Sequence, residues 1–237
     1  YRDVGGAGAD TVEVNGANAG DNFTVTPNGS RVRFDRTNLV PFSIDIGTTE
    51  NLVLNMNGGN DTFSATGDLA ALIKITVDGG TGNNKLYGGT GDDVIVALDG
   101  NDTAEGGDGD DCIDVQGGDN NVKGGSGNDK INTTWGKDTV SGGFDNDVIQ
   151  TGDGDDSANG DGGDDKINTG NGNDKADGGD GADCVLAGDG NDTLEGQDGA
   201  DTMVFFGSSA AENIDIVPNG GRILFIRNVA SVTMDLD

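Results

Sequence analysis

The sequence contains no histidine, which removes His-based acid–base chemistry, Ser-His triads and His-ligated zinc together. Its two cysteines, Cys112 and Cys184, are too few for a disulfide scaffold. No run of eighteen apolar residues occurs, so no transmembrane helix is expected, and no signal peptide opens the sequence. Tyr1 is not an initiator methionine, as expected of a processed or excised piece. Basic residues number 13 against 43 acidic ones. The net charge of −30 argues against nucleic acid and anionic membrane surfaces, because both favour a basic partner, and without an apolar run no membrane insertion is expected. It argues for cations. Apolar residues are scarce too, at 32% against a usual value of about 45–50%. By composition alone such a chain resembles a disordered, self-repelling polymer.

What is abundant is glycine, 45 of 237 residues, and it is arranged in phase. Counted in nines from Gly79, the register holds to Val204, giving fourteen phrases. Position eight is apolar in all fourteen, as in Leu86, Ile95, Ile113, Ile131 and Ile149. Position six is Asp in twelve and Asn in two, Asn84 and Asn120. Position four is Gly in thirteen, with Asp145 the exception. One apolar residue between polar neighbours reads as a short strand with one side chain facing in. The glycine-rich residues before it read as a turn. Position one alternates between glycine (Gly88, Gly106, Gly124, Gly142, Gly160, Gly178, Gly196) and a second set of Ala97, Val115, Thr133, Thr151, Thr169 and Ala187. The true repeat is therefore an 18-residue coil of two phrases. The expected fold is all-β: a parallel β-solenoid whose seven coils span roughly 34 Å.

Apolar burial cannot hold such a coil alone. One inward side chain contributes at most about 1.5–3 kcal/mol, whereas ordering nine residues costs about 1–2 kcal/mol each in the backbone. Another interaction must close that gap and neutralise the aspartates. Stacking puts Asp93, Asp111, Asp129, Asp147, Asp165, Asp183 and Asp201 in one row, and Asn84, Asp102, Asn120, Asp138, Asp156, Asp174 and Asp192 in the other. Carboxylates plus glycine-turn carbonyls are hard oxygen ligands with flexible geometry, which suits Ca²⁺ better than Mg²⁺ or Zn²⁺.

These phrases resemble the RTX nonapeptide, GGxGxDxUx with U a large apolar residue, over residues 79–204. GGAGADTVE (5–13) and MNGGNDTFS (56–64) are two isolated matches, adding Asp10 and Asp61 as candidate ligands. The resemblance implies a calcium-bound right-handed parallel β-roll. Each ion would sit between successive turns, held by position-six carboxylates and turn carbonyls. Six gaps per row set a ceiling of about twelve ions, whose charge nearly offsets the net −30. Asn84 and Asn120, with a neutral oxygen, should make weaker sites. Asp145 at position four and Asp161 at position two depart from the pattern.

The flanks, residues 1–78 and 205–237, carry longer alternating strands (FTVT, RVRF, FSIDI, NLVLN, LIKITV) and PNG turns. They are expected to continue the solenoid as longer rungs. They also repeat each other. Shifted by 191, residues 196–227 match 5–36 at fourteen of 32 positions, and FSIDI then matches VTMDL after a one-residue deletion. The end of the chain thus starts a second copy of its beginning and reads as no cap, so head-to-tail self-association is expected. Cys112 and Cys184 stand four coils apart, about 19 Å, too far for an intramolecular disulfide. Trp135 and Phe144 fall in turns on opposite sides, where local packing is expected.

Carboxylate pairs are everywhere, and no base, nucleophile or cleft is singled out, so no enzyme is expected. The reading is a calcium-dependent structural module of a secreted or cell-surface protein, such as an adhesin, matrix, surface-layer or filament component. It would fold on binding Ca²⁺ outside the cell. The alternative is the secretion and folding module of an RTX toxin or exoenzyme whose catalytic domain is absent from this chain.

Overall fold

The computed structural model describes residues 10–47, 51–205, 214–219, 222–227 and 233–236. Among them every regular element is a strand, numbered in chain order, and the strands form two sheets. The first sheet runs β1 (Thr11–Asn15), β5 (Asn51–Asn55), β7 (Lys74–Asp78), β9 (Val94–Ala97), β11 (Cys112–Val115), β13 (Lys130–Thr133), β15 (Val148–Gln150), β17 (Lys166–Asn168), β19 (Cys184–Ala187) and β21 (Thr202–Phe205). The second begins with β4 (Phe42–Ile46), β3 (Arg31–Arg36), β2 (Asn22–Asn28), β6 (Thr62–Ala65), β8 (Lys85–Thr90), β10 (Thr103–Asp108) and β12 (Asn121–Ser126). It continues with β14 (Thr139–Phe144), β16 (Ser157–Gly162), β18 (Lys175–Asp180), β20 (Thr193–Asp198), β24 (Thr233–Leu236), β23 (Arg222–Arg227) and β22 (Ile214–Asn219).

Through the nonapeptide array the chain alternates between the sheets, and neighbours pair in parallel at a spacing of eighteen. Ile95 lies beside Ile113, then Ile131 and Ile149. Leu86 lies beside Ala104, then Val122 and Val140. These residues are buried, so the file of position-eight side chains is the core of a parallel β-roll.

The turns between strands stack as closely as the strands do. Gly109 adopts φ 128, and a Cβ there would stand 2.5 Å from the Gly91 carbonyl carbon below it. Stacking thus demands both the left-handed backbone and the missing side chain. Asp145 and Asp161, at glycine positions, are forced into the same region, at φ 73 and φ 71.

The flanks differ from simple longer rungs. β1, β5, β7, β2 and β6 do extend the two parallel sheets. β2, β3 and β4, however, form an antiparallel meander. The cause is local: Asn28 pairs with Arg31 across the two residues Gly29 and Ser30. So tight a turn reverses the strand within its own sheet, whereas a solenoid rung must return through the opposite one. β22, β23 and β24 repeat the meander at the other end, and β24 pairs in parallel with β20. The final segment therefore ends in a meander, not in the bare rungs expected of it.

The amino-terminal part also has a fuller core. Phe23, Phe34, Phe63, Leu52, Leu54 and Met56 are completely buried, and the rings of Phe23 and Phe34 stack at 5.3 Å. Cys112 and Cys184 are free thiols on β11 and β19, four strands apart in one sheet. Trp135 lies across Gly117, covering a neighbouring turn, while Phe144 projects from β14 and is largely exposed. No helix long and apolar enough to cross a membrane occurs among the described residues.

Candidate metal centre

Position six falls immediately before each short strand, and stacking turns it into a ladder. The Asp93 N–H donates to Asp111 Oδ1 at 2.7 Å, and Asp111 to Asp129 at 2.8 Å. The pattern continues through Asp147, Asp165, Asp183 and Asp201. In the second row Asn84 donates to Asp102 at 2.7 Å. That row then climbs through Asn120, Asp138, Asp156, Asp174 and Asp192. Fourteen of the sixteen candidate ligands thus stand in two straight rows.

Asp61 extends the second row, donating to Asn84 Oδ1 at 3.0 Å. The row ends one rung further, at Asp21, which sequence reading had passed over because no glycine phrase surrounds it. The Asp21 N–H donates to Asp61 Oδ1 at 2.6 Å. Its own carboxylate is satisfied by the Arg36 guanidinium and the Ala17 N–H. Asp10 does not join the first row. It precedes β1, with β5 and β7 between it and Asp93, and Asp93 stacks on the Ile75 N–H instead.

Each ladder carboxylate spends only Oδ1 on the ladder. The Oδ2 atoms of Asp61, Asp93, Asp102, Asp111, Asp129, Asp138, Asp147, Asp156, Asp165, Asp174 and Asp183 are buried with no hydrogen-bond partner. Burial, the largest cause, pushes these carboxyls well above the usual carboxylate range. Asp93 rises to about 8, Asp111 and Asp147 to about 7, and Asp102, Asp129, Asp165 and Asp174 to about 6. Asp61, Asp138, Asp156 and Asp183 are raised by the same desolvation. Orphaned charged oxygens at this density are not tolerated in a stable interior.

The glycines at alternate position one show what the space beside Oδ2 can hold. A Cβ on Gly88 would stand 2.7 Å from Asp93 Oδ2 and 2.6 Å from the Gly106 carbonyl oxygen. The same two kinds of oxygen flank Gly124, Gly142 and Gly160. Any side chain would fill a cradle in which a carboxylate and the next coil's carbonyl converge. The two asparagines supply a complementary observation. Asn120 donates its side-chain amide to the Gln116 and Gly118 carbonyls, at 2.8 and 3.1 Å. Asn84 reaches the Gly80 and Gly82 carbonyls at 3.5 and 3.0 Å. Position-two and position-four carbonyls therefore face the position-six side chain. An amide NH₂ satisfies them; a carboxylate cannot, unless a cation lies between. Among the described residues no three acidic side chains converge on one point. Each site must draw its remaining oxygens from turn carbonyls, the donor set of a hard, flexible ion such as Ca²⁺.

A second ladder, also missed in the sequence, runs outside the first. Position five is Asn or Asp in eleven of fourteen phrases, the signal that could have revealed it. The Asn128 N–H donates to Asp110 Oδ1 at 2.8 Å, and Asp164 to Asn146 at 2.6 Å, so these bonds point back down the stack. Being solvated and hydrogen-bonded, Asp110 and Asp155 are held below the usual carboxylate range, opposite to the inner rows.

A parallel β-roll with two rows of half-satisfied carboxylates over glycine turns is, as a class, a calcium-binding β-roll. The comparison with known families agrees: the RTX calcium-binding nonapeptide repeat (4 copies) matches residues 78–113, 114–149, 141–176, 150–185 and 177–205. The matches cover more than half of the chain, which belongs to this family of calcium-binding repeats. No curated protein matches the sequence.

Proposed function

We propose that this chain is a structural module of a secreted or cell-surface protein, of adhesin, matrix, surface-layer or filament type, that folds when it binds Ca²⁺ outside the cell. The observation that carries the proposal is the buried, partnerless Oδ2 at successive rungs, set beside a side-chain-free cradle in the first row and facing turn carbonyls in the second. Calcium supplies the positive charge between coils. Asp93, Asp111, Asp129, Asp147, Asp165, Asp183 and Asp201 hold one row of ions. Asp61, Asp102, Asp138, Asp156, Asp174 and Asp192 hold the other, with turn carbonyls completing each shell. The ceiling stays at about twelve ions, with weaker positions at Asn84 and Asn120, whose amides already satisfy their turns.

At low calcium the rows repel and the array stays open. At the millimolar levels that fill extracellular modules, with dissociation constants on the order of 10⁻⁴–10⁻³ M, binding free energy becomes folding free energy. The module carries no chemistry of its own; it is a rigid rod whose ends can associate with further copies. Circular dichroism with isothermal calcium titration tests the proposal. Millimolar Ca²⁺ should raise the β signal with several ions bound per chain. A chelated sample with an unchanged β signal would overturn it.

A further inference from the structure

The two meanders are copies of one sequence, yet they use opposite edges. At the amino-terminal end β2 carries the rest of the molecule by pairing with β6, and no described strand covers the outer edges of β1 and β4. At the carboxy-terminal end the copies of those strands, β21 and β24, sit on β19 and β20. The chain itself thus displays what fills the edge that β1 and β4 leave open. Between those edges lies a cleft of about 500 Å³ lined by Val14, Phe42, Ile44, Glu13, Asn15 and Ser43.

We infer that the β1–β4 end face is a docking seat for the last nonapeptide coil, β19–β20, of a second copy of this unit. The inference rests on the rod-module reading above. Transferring the observed pairs sets Val185 beside Val12, as it stands beside Met203, and Ala187 beside Val14. Leu194 would stand beside Ile44, as it does beside Met234. The incoming Val185, Ala187 and Leu194 are buried core residues in this chain. Asp10 then takes the place of Asp201, whose Oδ1 accepts the Asp183 N–H at 3.0 Å. That gives Asp10 a position in the incoming copy's row, which explains why it stands apart from Asp93.

The registers supply an independent check. In the first sheet the Val185 column passes through Val12, Leu52 and Ile75 and emerges at Asp93, two residues before Ile95. In the second, the Leu194 column passes through Ile44, Phe34, Val25 and Ala65 and emerges at Gly88, two residues after Leu86. Strands of the two sheets run in opposite directions around the coil. Two residues back in one and two forward in the other are therefore the same displacement. Both sheets require the second copy to be offset by two residues, about 6.6 Å along the strands. An even offset keeps every core residue facing inward. Sheets that disagreed could not both continue.

The test lengthens the full chain by one period, as residues 1–195 followed by residues 5–237, in millimolar Ca²⁺. Hydrogen exchange should then protect one of its two β4 copies and leave the other exchanging, halving the β4 signal seen in the single chain. A junctional Thr11→Cys should oxidise to a disulfide with Cys184 of the preceding copy, since Cys184 pairs with Thr202 in the observed register. A junctional Ile44→Lys should abolish the protection while leaving the calcium-induced β signal. If both β4 copies exchange freely although calcium still induces the β signal, the seat is overturned and the rod-module reading stands. If calcium induces no β signal, the module reading itself fails.

Discussion

The first rungs and the nonapeptide array share two continuous sheets, but different forces hold them. Between Thr11 and Asp78 a rung buries two or three large side chains, with Phe23, Phe34 and Phe63 packed together. In the array most nonapeptide strands bury one Ile, Val, Leu or Ala, with a second small one in β9, β11 and β19, and most follow an aspartate whose Oδ2 lacks a partner. The same contrast appears inside the second carboxylate row. Asp21 meets the Arg36 guanidinium, a cation built into the chain. Its successors Asp61, Asp102, Asp138, Asp156 and Asp174 each keep a buried Oδ2 with no hydrogen-bond partner, the place for a free ion. The comparison teaches that a solenoid rung is closed either by apolar volume or by positive charge, and that one continuous sheet can pass from one regime to the other.

Calcium removal should break the comparison most strongly. In chelator the array should lose its strands, while β1 to β7 with their meander keep slow hydrogen exchange. Uniform loss of protection in both regions would show that the apolar rungs have no stability of their own.

Acid should partly imitate calcium. The buried carboxyls have pKa values raised to about 6–8, against about 4 in an unfolded chain. The ion-free fold is therefore most favoured below about pH 4, and stability is lost as pH rises through the folded-state values. Circular dichroism in chelator should show β signal growing from pH 8 to pH 4. Calcium affinity should move the opposite way, because ions need the ionised carboxylates. A β signal in chelator that falls on acidification would contradict the assigned cause.

Arg36→Met should act on the apolar region alone. It strands the buried Asp21 carboxylate, a loss of about 3–5 kcal/mol. Denaturant unfolding should report the same loss with and without calcium in the amino-terminal rungs. A loss seen only in calcium would mean that Asp21 belongs to the metal rows.

Single-site changes in the array should be smaller and calcium-specific. Asp165→Ala should remove a site and raise the calcium midpoint of folding several-fold. Gly160→Ala should do likewise, by filling the cradle beside Asp165 Oδ2. Asn120→Ala should shift the midpoint least, because its amide already satisfies the Gln116 and Gly118 carbonyls. Equal shifts at Asp165 and Asn120 would show that position six does not set site strength.

The nonapeptide period alone determined the parallel roll, the inward column and the composition of the two carboxylate rows. Over fourteen phrases, a parallel roll keeps Ile131 and its counterparts inside while the third position before the strand is glycine in thirteen. Periodicity is legible because each coil contacts only its neighbours, so local pattern and global fold coincide. Tertiary structure alone decided the rest. The role of Asp21 depends on Arg36, fifteen residues later, reaching it across the meander. The cradle carbonyls belong to backbone, which has no letter in a sequence. The antiparallel meander follows from a two-residue turn whose partner strands are chosen by the sheet they join. The seat at β1 and β4 emerged only when two copies of one sequence were seen using opposite edges. Edges are properties of assembled sheets, because an unpaired N–H is defined by the strand that is not beside it.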